Sequence, residues 1–158
     1  MRTLTVLLAM GALVIGALGG SAVAQEKKEK SLQLNGLPAV VQKTVQDNLK
    51  GGQIKSIGKE KEDGAEQYEI ESVLNGKSRD FNVDLKGNLL LVEEATTIDA
   101  IPAAAKAGIL KKLAAGKLSK VETFTKIGQP AMYEAGYTDK AGKKHEVLVK
   151  ADGTETKE

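Results

Sequence analysis

LPAVVQKTVQDNLKGGQIKSI, residues 37–57, decides the fold, because IPAAAKAGILKKLAAGKLSKV at 101–121 restates its pattern 64 residues later. Leu37, Val40, Val41, Val45 and Leu49 fall on Ile101, Ala104, Ala105, Ile109 and Leu113. The spacing i, i+3, i+4, i+8, i+12 is one apolar stripe of an α-helix. Pro38 and Pro102 suit a first turn, where an amide proton would lack a partner. Asn35 and Asp99 stand just upstream as capping oxygens. Gly51-Gly52 and Gly116 end the two helices, which the spacing predicts over 37–50 and 101–115.

Working outward, each helix is followed by extended segments. The first set covers roughly 53–59, 66–74, 79–85 and 88–93, with a polar turn at Glu60 to Gly64. Tyr68, Ile70 and Ser72 alternate with Glu69 and Glu71, the pattern of a half-buried antiparallel strand. Asn75-Gly76 is a hairpin signal. Phe81, Val83 and Leu85 point one way and Asp80, Asn82 and Asp84 the other. Lys86-Gly87 turns the chain into the run Leu89 to Val92, which can be covered on both faces. The second set covers 117–126, the alternation of Tyr133, Ala135 and Tyr137, that of His145, Val147 and Val149, and a polar last strand at 154–158. Its turns fall at Gly128 to Pro130, Ala141 to Lys143 and Asp152-Gly153.

The order is therefore α-β-β-β-β twice. It predicts an α+β fold of tandem repeats: an antiparallel sheet with one helix per unit packed on one face. The predicted boundaries are a signal peptide at 1–24, a polar linker at 25–35, and units at 36–97 and 98–158. A unit of about 60 residues alone is marginal, and two side by side bury more and protect inner sheet edges. Gly108 inside the second helix costs about 1 kcal/mol relative to Ala. With Ala104 and Ala105 it would let that helix sit closer to its sheet.

The first 24 residues carry the parts of a secretory signal. Arg2 supplies the positive start, Leu4 to Leu18 is apolar, and Ala22-Val23-Ala24 is a small-x-small cleavage pattern. The apolar run is about 15 residues, short of the roughly 20 that a bilayer span needs. A periplasmic or secreted bacterial protein is expected, with no membrane span after cleavage. QEKKEKS at 25–31 reads as a polar tether. The chain has 158 residues, no cysteine and no tryptophan, and aromatics are 3% of it. Thiolate chemistry and disulfides are excluded. The formal charge of +2 gives no global field for nucleic acid or anionic lipid.

The single histidine, His145, has no G-x-S-x-G elbow to serve, and zinc would need a His or Cys cluster. No catalytic residue, metal site or cofactor is expected. Glu69 with Glu71, and Asp80 with Asp84, each share a strand face. Charged side chains on a wet sheet face need no special role, and the loop spacing that binds calcium is missing.

Three features resemble the PepSY domain and its relatives. The first is the apolar residue and Pro that open each helix. The second is the Tyr-Glu strand pair Tyr68-Glu69 and Tyr133-Glu134. The third is FNVDLKGNLL at 81–90 with its echo EVLVKADGTE at 146–155. Asp84 with Gly87, and Asp152 with Gly153, approximate the acidic residue that this family carries before a hairpin glycine. Two such units in tandem are similar to the beta-lactamase-inhibitory-protein architecture. The resemblance implies a non-catalytic binding or inhibitory module, whose partner is an unknown protein such as an envelope peptidase or other hydrolase. The alternative is a periplasmic protein that binds a small ligand or cation through acidic face residues. The sheet face opposite the helices is the expected partner surface. It carries Glu69, Glu71, Asn82 and Asp84 in the first unit, and Met132, Glu134, Glu146, Leu148 and Lys150 in the second. Met132 and Leu148 are expected there as wet apolar side chains.

Overall fold

Strict alternation needs a partner strand at each side, and short turns supply it. The computed structural model describes residues 31–62 and 64–157. The expected signal peptide and most of the expected linker lie outside the described residues. A 3-10 turn at Leu34–Gly36 leads into α1 (Ala39–Leu49). Then come β1 (Gln53–Glu62), β2 (Ala65–Leu74), β3 (Lys77–Asp84) and β4 (Leu89–Ala95). After α2 (Ala103–Leu113) follow β5 (Lys117–Lys126), β6 (Met132–Thr138), β7 (Lys144–Lys150) and the two-residue β8 (Glu155–Thr156). All eight strands form one sheet in chain order, every neighbouring pair antiparallel. The β4–β5 pairing joins the two halves, so the run Leu89 to Val92 belongs to an inner strand.

Both helices lie on one face of this sheet. Val41 and Val45 of α1 are buried with Ile57, Tyr68, Ile70, Phe81 and Val83. Ala105, Ile109 and Leu113 of α2 are buried with Val121, Ala135, Val147 and Val149. By register Ile70, Phe81, Val92 and Thr125 stand in one row, which puts the two clusters on the same side. Arg79 ties the first half together. It is 4% exposed, and its Nε donates to Glu94 Oε1 at 2.9 Å. Its Nη1 donates to the Asn48 carbonyl at 2.8 Å, and the guanidinium stands 5.5 Å from the Phe81 ring centre. The carbonyl end of α1 is thereby held by a cation, the favourable sign for a helix C-terminus.

Several expectations change at the helix ends. Pro38 and Pro102 are the N-cap residues themselves, and no side-chain oxygen caps either helix. The Leu37 carbonyl accepts instead from Gln42 Nε2 at 2.8 Å, and Asp99 pairs with Lys106 at 2.6 Å. Val40 is 55% exposed and Ala104 is exposed, so the buried stripe is narrower than the sequence spacing suggests. Both residues face a hairpin glycine instead. A Cβ on Gly87 would come within 2.9 Å of the Val40 carbonyl oxygen, and one on Gly153 would run into that of Ala104. The second helix does approach its turn more closely. Where α1 has Thr44, whose hydroxyl donates to the Gly87 carbonyl at 2.6 Å, α2 has Gly108 against Gly153. The segment Glu60 to Glu62, expected as a turn, completes β1.

Candidate functional site

Among the described residues no helix packs on the opposite sheet face, and strand parity decides what stands on it. Residues paired across a ladder share a face. In the first half the register places Glu60 and Glu62 of β1, Glu69 and Glu71 of β2, Asp80 of β3 and Glu93 of β4 on this side. Lys59, Lys61, Lys77 and Arg79 alternate to the helix side, and Lys55 sits in a bulge between Ile54 and Ser56. The first half therefore gathers six carboxylates on this side.

These carboxylates are held in different ways. Gln67, 5% exposed, donates from Nε2 to Glu60 Oε1 at 2.8 Å and Glu62 Oε2 at 2.7 Å. Asn82 Nδ2 donates to Glu60 Oε1 at 3.1 Å. The Ser56 hydroxyl donates to Glu71 Oε2 at 2.5 Å. Asp80 accepts from the Ser72 amide and the Ser78 hydroxyl, both at 2.9 Å. Partial burial still pushes the Asp80 carboxyl up against those bonds, with Glu122 and Glu71 adding repulsion. Glu69 is pushed up to about 7, first by partial burial and then by Glu60, Glu71 and Asp80 around it.

The second half neutralises itself. Lys120 Nζ lies 2.8 Å from Glu122 Oε2, 2.9 Å from Glu134 Oε1 and 3.4 Å from Glu146 Oε1. Burial alone would lower the lysine's proton affinity; its ion pairs with Glu122 and Glu134 outweigh that and raise it. Glu122 Oε2 is shut from solvent with no aligned hydrogen bond, so its compensation is the charge of Lys120.

Of the residues expected on this face, Glu69, Glu71 and Asn82 share it, as do Met132, Glu134, Glu146, Leu148 and Lys150 by register. Two carry a different meaning. Leu148 is 6% exposed, so it is no wet apolar contact. Together with Phe124, 1% exposed, it belongs to neither helix-side cluster, because even positions of β5 and β7 point away from the helices. Met132 is half-buried beside Phe124 in the ladder. Asp84 is the last residue of β3, opposite Gln67, and holds the turn that follows. Its carboxylate accepts from the Lys86 and Asn88 amides and from Asn88 Nδ2, each at 2.8 Å. Desolvation raises its carboxyl, and these bonds together outweigh that and hold it below the ordinary carboxylate range. Sequence reading missed Glu60, Glu62, Gln67 and Lys120; the signal was the strict parity of β1 and β5, obscured by one bulge in each strand.

His145 lies at the edge of a cleft of about 250 Å³ that Lys120, Tyr137 and Glu146 also line. Its ring stacks on Tyr137 with centres 5.2 Å apart, and its Nε2 is 2.7 Å from Asp139 Oδ2. Asp139 also accepts from the Ala141 and Lys143 amides, so the pair fastens the β6–β7 turn. Among the described residues no three His, Cys, Asp or Glu side chains are arranged to hold a metal ion, and no helix is long and apolar enough to cross a membrane.

No family profile matches the chain, and no curated protein does. Solved structures do. A provisionally periplasmic protein from Bacteroides eggerthii superposes with a TM-score of 0.63 at 16% identity, over 77% of this chain and 86% of that one. A DUF2874 family protein from Bacteroides ovatus gives 0.61 at 14% identity, over 77% and 85%. A BLIP-like protein from Bacteroides fragilis gives 0.57 at 15% identity, over 77% and 84%. At such identities the likeness is one of fold.

Proposed function

We propose that this chain is an exported, non-catalytic protein-binding module that docks its partner on the helix-free sheet face. It is built as two tandem PepSY-like units, 36–97 and 98–158, and inhibits or regulates an envelope peptidase or other hydrolase. The observation that supports this reading is the placement of both helices on one side, so that among the described residues the other face of the eight-stranded sheet carries no helix. That face carries fixed charge and side-chain hydrogen bonds rather than a deep cavity with a nucleophile and base. The periplasmic and BLIP-like descriptions of two fold neighbours agree with the proposed address and class.

The test is inhibition of envelope peptidases and lactamases, with photocrosslinking from Leu91 on the open face. Capture from Leu91, absent from a crosslinker at Val40 on the helix side, supports the reading. Equal capture from both sides, or none from either, sinks it. Calorimetry with calcium separates the alternative reading, in which a cation binds the acidic residues. Heat and a raised melting temperature would favour that alternative.

A further inference from the structure

The chain divides its charge between its two halves. Residues 36–97 hold eight lysines and arginines against eleven carboxylates, a formal −3; residues 98–158 hold eleven against eight, a formal +3. The helix-free face lays this division out in order. Pairing carries one row across it: Asp80 with Glu93, Glu93 with Phe124, Phe124 with Met132, and Met132 with Lys150. Glu71 precedes Asp80 in that row, one step along the ladder from Ile70 and Phe81. The neighbouring row runs Glu69, Asn82, Leu91, Lys126. Each row is acidic in the first half, apolar toward the middle and cationic at its far end. Lys55, exposed in the β1 bulge at the outer edge, offsets one of the six carboxylates of the first half. The three glutamates around Lys120 are balanced by it together with Lys117 and Lys144, which the register places on the same face.

A half-turn about an axis parallel to the strands, passing between β4 and β5, lays such a row on its own reverse. Glu71 then faces Lys150 of the second copy, and Leu91 faces the stem of its Lys126, each contact being made twice. We infer that the free protein pairs with itself, helix-free face to helix-free face, with the acidic half of each copy on the basic half of the other. Self-pairing goes beyond the docking reading above, because it names what covers that face before a target displaces it.

Charge complementarity names the occupant. A partner of one sign would meet like charge on half of this face, whereas a reversed second copy meets opposite charge on both halves. Stacked sheets lie about 10 Å apart, a spacing that a lysine and a glutamate span together.

Sedimentation equilibrium tests it. The parent should be a dimer at low salt and shift toward monomer as salt rises, because the contacts are solvated ion pairs. Lys150→Glu and Glu71→Lys should each abolish the dimer alone, since each sets like charges face to face twice. Mixed in equal amounts they should restore it, since both contacts then join a glutamate to a lysine. Lys43→Glu makes the same charge change on α1, behind the sheet, and should leave the dimer intact. A monomeric parent at low salt, a mixture that stays monomeric, or equal loss in K43E overturns the inference. Should either single variant melt early, the chain carrying both E71K and K150E replaces the mixture, and must pair with itself as the parent does. Photocapture from Leu91 keeps the docking reading separate, because a product of two copies differs in mass from a product with an envelope protein. Capture of an envelope protein by a monomeric parent overturns self-pairing and leaves the docking reading standing. A dimer that yields only the two-copy product supports self-pairing and overturns the docking reading.

Discussion

Gly108→Ala sets helix propensity against packing, and the two predict opposite signs. In an exposed helix interior, alanine in place of glycine stabilises by about 1 kcal/mol. Position 108 is not such a place. A Cβ there would lie 2.5 Å from the Gly153 carbonyl oxygen and 3.2 Å from both its carbonyl carbon and its Cα. All three are backbone atoms, so no rotamer change relieves the contact. The turn cannot easily retreat. Gly153 has φ +84, and its amide donates to the Lys150 carbonyl at 2.9 Å. Relief requires α2 to lift from β7, loosening Ile109, which is fully buried. Overpacking of a well-fitted contact costs about 1–3 kcal/mol, and a backbone clash belongs at the top of that range. Subtracting the propensity gain of about 1 kcal/mol leaves a net loss of about 2 kcal/mol, or a fall in Tm of roughly 8 °C. Urea unfolding of the parent, G108A and the control Ala107→Gly measures it. Ala107 is exposed on the same helix, so the control should lose about 1 kcal/mol by propensity alone. A G108A protein as stable as the parent, or more stable, would refute the close-approach argument.

Lys120→Met leaves Glu122, Glu134 and Glu146 without their shared cation. The ammonium keeps a quarter of its exposure, so the loss should be about 2 kcal/mol rather than the full cost of breaking a buried pair, and denaturant melts at pH 7 should show it. Glu69 holds its proton more tightly folded than unfolded, so its contribution to stability is present below pH 4.5 and lost as pH rises through about 7. Glu69→Gln should match the parent at pH 4 and exceed it at pH 8 in thermal melts; the opposite order would contradict the sign. Arg79→Lys removes the fork that reaches both Glu94 and the Asn48 carbonyl from a buried position, and chemical unfolding should report a loss of about 2–4 kcal/mol.

Much of the sheet was legible because its turns were. Asn75-Gly76 fixes the β2–β3 hairpin with both residues at positive φ, 53 and 78. Gly87, Gly142 and Gly153 each close a turn in which the glycine amide donates three residues back. The second such turn begins at Asp139, a longer hairpin than Asn75-Gly76. The helix stripe was legible as a period and misleading in detail. Val40 and Ala104 belong to the apolar spacing, yet the side they face is a hairpin turn. Asp84 read as a face residue because its parity is right; short-range hydrogen bonds to its own turn took precedence. The ion cluster at Lys120 was not legible at all. It depends on β5 lying between β4 and β6, and on a bulge that shifts parity by one residue.

That bulge decides more than geometry. A shift of one residue moves every later side chain of a strand to the other face. Without the irregularity between Ile54 and Ser56, Ile54 and Ile57 could not both face α1, because they are three residues apart. The same holds for Leu118 and Val121 under α2. The bulge therefore serves the core first, allowing two apolar residues at odd spacing to be buried together. Its consequence on the far face is that the next residue, Ser56 or Lys120, is aimed among carboxylates. Both strands share the core requirement and carry the lysine and serine of the bulge in opposite order, Lys55-Ser56 in β1 and Ser119-Lys120 in β5. In β5 the lysine that follows the bulge lies among Glu122, Glu134 and Glu146, and in β1 the serine at that place donates to Glu71, with an apolar pair buried under a helix in each half.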